Sequence, residues 1–131
     1  MSVELTLLCF ASLLGLAQIV VASHLVSLQR GYRWTAGSRE ERVAPLTGAA
    51  NRYRRSARNF LETFPIFAAL LLAAVVSHRT GQLTLIGAHL YFWGRLIYVP
   101  LYGVPIVRSV IWNVATLGIL LIAAALLWPA P

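Results

Sequence analysis

Leu5 to Leu28, LTLLCFASLLGLAQIVVASHLVSL, runs for 24 positions without a charge. At about 1.5 Å of rise per residue, such a helix crosses a hydrocarbon layer of roughly 30 Å with some tilt. The Met-Ser-Val-Glu start before it lacks the positive leader of a secretion signal, so the run reads as a membrane span. Three later stretches read the same way, at about 59–77, 83–101 and 110–128. Short connections join them. The pattern predicts an all-α membrane protein, a single domain over 1–131 built as an antiparallel bundle of four transmembrane helices.

Composition supports this class. Hydrophobic residues make up 59% of the 131 positions and charged residues only 11%; the mean hydropathy is +0.73. Soluble domains are about 45–50% apolar and roughly 25% charged, so an ordinary soluble enzyme is excluded, and so is a disordered chain. All eleven basic residues are arginine, against four glutamates, for a formal charge of +7. Guanidinium groups stay charged and bind carboxylates and phosphates as planar forks. That balance on so apolar a chain points to anionic headgroups or a small anionic ligand rather than nucleic acid. The lone Cys9 permits no internal disulfide, and His24, His78 and His89 lack metal-ligand spacing.

The connections set the expected orientation. Gln29 to Arg58, read as a basic loop, carries eight arginines and two glutamates, whereas the second connection holds only His78 and Arg79. The positive-inside rule then puts the basic loop in the cytoplasm and both termini outside. Thr47 is a candidate N-cap, so the second helix is expected to begin well before its apolar part. Pro65 interrupts that helix's hydrogen bonding. Alanines 68, 69, 73 and 74, with 123–125 on the last span, offer surfaces for close helix approach.

The polar residues of the spans gather at the cytoplasmic level. Arg55, Arg58, Asn59 and Glu62 are spaced i, i+3, i+4, i+7, which places them on one helical face. Arg95 stands more than a turn inside the third span, in a stripe with Tyr91, Tyr98 and Tyr102. An intramembrane arginine should face the interior and find an anion, for which Glu62 is the internal candidate. Arg108 and Ser109 open the fourth span, where unpaired N–H groups favour anions; Ser109 is either an N-cap or part of the site. Trp112, one turn on, reads as an interfacial anchor.

The stretch Arg55-Ser-Ala-Arg58-Asn59-Phe-Leu-Glu62-Thr-Phe-Pro65 resembles the Arg-x-x-Arg-Asn-x-x-Glu-x-x-Pro pattern of the MAPEG family, the membrane-associated proteins of eicosanoid and glutathione metabolism. Gly94-Arg95, Tyr98 and Tyr102 fit that family's third helix. Pro105-Ile-Val-Arg108-Ser109 with Trp112 resembles the opening of its fourth, and the phrase NFLETFP is similar to its small bacterial branch.

The resemblance implies a homotrimer in the bacterial inner membrane, with ligand sites between protomers and glutathione as co-substrate. It implies that Arg55, Arg58 and Arg95 hold carboxylates, Glu62 the ammonium and Asn59 a peptide group, with Tyr98 beside them as a further binding residue. Arg108 and Ser109 would stabilise the thiolate, and Tyr102 would hydrogen-bond the reacting centre. The implied activity is glutathione-dependent transfer or peroxidase chemistry on apolar electrophiles or lipid hydroperoxides. Tyr98, where some relatives carry another polar residue, and Trp112, where prostaglandin-forming relatives carry a tyrosine, do not point to an eicosanoid substrate. The competing expectation is a non-catalytic membrane protein that binds an anionic lipid or a partner through the same arginines.

Overall fold

The computed structural model describes residues 1–128 and contains five helices and no strand within them. These are α1 (Val3–Arg30), α2 (Tyr32–Ala36), α3 (Gly48–Val76), α4 (Gln82–Tyr98) and α5 (Pro105–Leu127). Pro129 to Pro131, expected to stop the last span, lie outside the described residues.

Three helices, α1, α3 and α5, are long and apolar enough to cross a membrane. The third expected span is shorter than its hydropathy implies: α4 has 17 residues and ends at Tyr98 rather than near Leu101. Pro100 lacks the N–H that would extend it, and a tight turn carries the chain on through bonds from Tyr102 N to Val99 O and from Val104 N to Leu101 O.

Helix ends follow local chemistry. Ser2 caps α1 by accepting from the Leu5 amide at 3.3 Å. Gly31 closes α1 with φ 97°, a conformation that suits a residue without Cβ, and returns its amide to Ser27 O at 2.7 Å. Thr47 is the N-cap of α3, as its position implied, but its side chain does not cap the helix. The Gln29 side chain grips the Thr47 backbone instead, accepting from its amide at 3.1 Å and donating to its carbonyl at 3.2 Å. The basic stretch 29–58 is therefore mostly helical rather than a loop: the end of α1, then α2, then three turns of α3. At α5 the N-cap is Val104 with Pro105 in the first turn. Ser109 is thus no N-cap; its hydroxyl donates back to Pro105 O at 2.9 Å.

The long helices reverse direction in turn, and side-chain bonds tie their ends. At one end Thr84 of α4 donates to the buried Glu4 of α1 at 3.1 Å. There Arg79 also caps α5, giving Nη1 to the carbonyls of Leu126 and Trp128 at 2.8 Å each. In mid-section Ser56 donates to Gln18 at 3.2 Å, joining α3 to α1. The Thr63 and Tyr91 hydroxyls, 3.0 Å apart, join α3 to α4. Around these bonds α1 packs on α3 and α4, and α5 on α4 and α3. The core is apolar and aromatic, with Phe60, Phe67, Leu71, Tyr91 and Ile122 at its centre; Tyr91 stacks on Phe67 with ring centroids 4.0 Å apart.

The alanines expected to allow close helix approach divide between faces: Ala74 is wholly buried in the core and Ala68 and Ala123 to Ala125 are half-buried, whereas Ala69 and Ala73 are exposed. A close approach that the alanines did not signal joins α4 to α5: Gly87 and Gly118 face each other, and a Cβ built on either would lie 2.5 Å from the other's carbonyl oxygen.

Candidate functional site

The other end of the molecule, where α3 and α5 begin and α4 finishes, holds the polar groups. α3 brings Asn59, α4 brings Tyr98, and α5 brings Arg108, Ser109, Trp112 and Asn113 to one cavity of about 230 Å³. Four of the nine residues expected to form the site meet here: Asn59, Tyr98, Arg108 and Ser109. Trp112, expected as an interfacial anchor, lines this cavity as well. Its signal was its position one helical turn beyond Arg108, as Asn113 is one turn beyond Ser109; on a helix, i+4 neighbours share a face.

Arg108 is half-buried and fixed from two sides. Its Nη1 donates to the Tyr102 carbonyl at 3.3 Å, and its guanidinium lies over the Tyr102 ring at 4.6 Å. Tyr102 in turn meets Tyr98 edge-on, with centroids 5.6 Å apart. Tyr98 is the phenol that lines the cavity; Tyr102 acts behind Arg108 and holds it in place. Asn59 Oδ1 is buried without a hydrogen-bond partner, so the cavity has an acceptor waiting for a donor. The Ser109 hydroxyl spends its proton on Pro105 O and is left as an acceptor toward the cavity.

Arg95 is almost wholly enclosed, at 1% exposure. It lies between aromatic faces, 4.1 Å from the Tyr98 centroid and 5.6 Å from that of Phe60. All three guanidinium nitrogens lack a hydrogen-bond partner. The expected bond from Glu62 is not formed: Glu62 is exposed on α3. Just over half a helical turn of separation along α3 explains this. Phe60 points into the core next to Arg95, and Glu62, two residues on, is rotated about 200° away. Arg55 and Arg58 are exposed too, and Arg58 lines a different cavity on the α1 side. The guanidinium groups of three helices therefore do not converge on one point within this chain; one of them, Arg108, faces the cavity, with Arg95 behind the Tyr98 ring.

Among the described residues, no group of three His, Cys or carboxylate side chains gathers where a metal ion could sit. The arrangement offers fixed cation, phenol, amide and indole groups at the end of an apolar body, which suits an anion with a polar tail.

Comparison with known proteins gives one match. The model of the MAPEG family fits residues 7–128, nearly the whole chain. No curated protein and no solved structure matches. With the quoted motif on α3, the cavity at the start of α5 and this span of agreement, the chain belongs to the MAPEG family.

Proposed function

We propose that the protein is a glutathione-dependent transferase or peroxidase of the inner membrane, acting on apolar electrophiles or lipid hydroperoxides. The observation that carries this reading is the cavity in which Arg108, Tyr98 and the unpartnered Asn59 oxygen meet. Arg108 is anchored by Tyr102 through one nitrogen only, so the rest of its fork remains to face a thiolate. A fixed cation favours the ionised thiol and lowers its pKa by about 1–3 units. Tyr98 donates to the reacting centre in this arrangement, and Tyr102 positions Arg108. The Asn59 oxygen accepts a peptide N–H.

The thiolate then attacks carbon, forming the S–C bond as the leaving group departs with its electron pair. With a hydroperoxide it attacks oxygen: the S–O bond forms as the O–O bond breaks, the departing alkoxide takes a proton from solvent and leaves as alcohol, and a second glutathione thiol displaces water from the sulfenic acid to give the disulfide.

At about 230 Å³ the cavity is below the usual 300–1,000 Å³ of small-molecule sites. It fits the thiol end of a tripeptide. The carboxylates and the ammonium then extend toward exposed α3, where Arg55, Arg58 and Glu62 wait, and toward a neighbouring copy. This supports a homotrimer in which protomers complete each other's sites, with α4 as the fourth membrane helix of each bundle.

The test is ultraviolet titration of the glutathione thiolate on purified protein. Wild type should show thiolate at pH 7. Arg108→Ala should lose it by about tenfold or more, the effect of one pKa unit or greater. Equal thiolate yield in the two proteins rejects the assignment.

A further inference from the structure

A second cavity, of about 270 Å³, lies on the α1 side of the same end, among α1, α2 and α3. It shares no residue with the cavity of Asn59 and Arg108. Its walls differ in chemistry from floor to rim. Ile19 and Val26 of α1 and Leu61 of α3 form an apolar side, and Ile19 and Leu61 continue onto the exposed apolar surface of the molecule. The rim carries three guanidinium groups, from Arg39, Arg54 and Arg58.

Trp34 of α2 lines the cavity beside them, and its indole N–H is buried without an acceptor. Arg39 is held over it in a conformation that costs backbone freedom: φ is 61°, its Nε donates to Thr35 O at 3.0 Å, and its guanidinium is 5.9 Å from the indole centroid. The cations crowd one another. Partial burial, then the charges of Arg58, Arg30 and Arg39, lower the pKa of Arg54. Like charges so placed are relieved by a bound anion.

We propose that this cavity binds an acidic membrane phospholipid, its phosphate on Arg39, Arg54 and the Trp34 N–H and one acyl chain along Ile19 and Leu61. A free anion would use the rim and leave the apolar side idle; a neutral lipid would use the apolar side and leave the guanidinium groups unneutralised. An acidic phospholipid satisfies both, at the level where basic pockets between membrane helices meet headgroups. α2 has a purpose in this arrangement, since it is what brings Trp34 and Arg39 over the α1–α3 groove.

The experiment uses the full chain in nanodiscs of phosphatidylcholine and phosphatidylglycerol, with native mass spectrometry of the lipid that leaves with the protein. Wild type should carry phosphatidylglycerol in excess over the disc ratio. The Arg39→Gln/Arg54→Gln double variant should lose that excess, by about fivefold for each arginine removed. Its glutathione binding should stay at the wild-type level, since neither residue belongs to the thiol site. A second reading needs no charge change: phosphatidylglycerol should shift Trp emission in wild type and leave Trp34→Phe unmoved. Lipid retained at the disc ratio by wild type, or equal excess in the double variant, overturns the proposal. So does inorganic phosphate reproducing the emission shift in phosphatidylcholine discs, because the apolar side would then be irrelevant.

Discussion

Arg95 shows how a single residue trades stability against binding. An ionised side chain at 1% exposure with three unpartnered nitrogens is costly. The Tyr98 and Phe60 rings return part of that cost, since a desolvated cation–π contact contributes about 2 kcal/mol or more. They do not replace an anion. The expected consequence is that Arg95→Met stabilises the empty protein, by about 1–4 kcal/mol as when buried ion groups are replaced by apolar ones of similar size. It should at the same time weaken glutathione binding, because the Tyr98 ring loses the cation that fixes it at the cavity wall. Unfolding by denaturant in detergent and an isotherm on the same samples measure both. A Met variant less stable than wild type would show that Arg95 has a structural partner, and the binding role would fall with it. The sequence made Arg95 conspicuous as the one charge deep within the third span. It did not reveal that Glu62 would be turned away, because that depends on a rotation of α3 which places Phe60, and not Glu62, against α4.

At the scale of the helices, the α4–α5 seam carries the most specific packing. Gly87 and Gly118 let the two backbones approach until no Cβ fits between them: the atom would lie 2.5 Å from a carbonyl oxygen on either side, and 2.8 Å from Ile122 Cγ1 at Gly87. Carbonyl oxygens cannot swing aside as side-chain tips do. Gly87→Ala should therefore push α5 outward and destabilise the protein by about 1–3 kcal/mol, while Gly81→Ala, with open space around it, should change little. Melting of the two variants in one detergent checks this, and equal midpoints would show that the seam is loose. The shift also matters to the site, since α5 carries Arg108 and Trp112 to the cavity. Most of the element order was legible beforehand: the charge-free run of α1, Thr47 as the start of α3 and the prolines around the last turn all stand where their chemistry implied. What escaped were relations between elements. Alanine runs were read as contact surfaces by composition, but which small residues touch is set by how two helices rotate against each other: Ala74 reached the core while Ala69 and Ala73 stayed exposed, and the α4–α5 seam fell on glycines. The short α2 escaped for a similar reason: five residues carry too little periodicity to read, and its tie to α1 is a tertiary one, the pair of hydroxyls on Ser27 and Thr35, 2.7 Å apart.

On the scale of the whole molecule, charge and apolar surface divide the protein. Phe10, Leu13 and Leu16 on α1 and Val110, Leu117 and Leu120 on α5 are exposed, as a lipid-facing or copy-facing surface requires. Both cavities open at the end that carries eight of the eleven arginines in residues 29–58, and the opposite end offers Glu4 and Arg79, each already engaged. The positive-inside rule predicts that this basic end faces the cytoplasm, where a cytosolic thiol and the headgroups of acidic lipid would both meet it. The chain supplies its own means of testing this. Cys9 is its one cysteine, so Cys9→Ser leaves no thiol, and Ser38→Cys then places a single one on the exposed segment between α2 and α3. An impermeant maleimide should label Cys9→Ser/Ser38→Cys in inverted vesicles and leave it unlabelled in intact spheroplasts. Labelling in spheroplasts would put both cavities on the outer side, away from the cytosolic glutathione pool. A residue-level chemistry that survived every substitution test would still then lack its co-substrate.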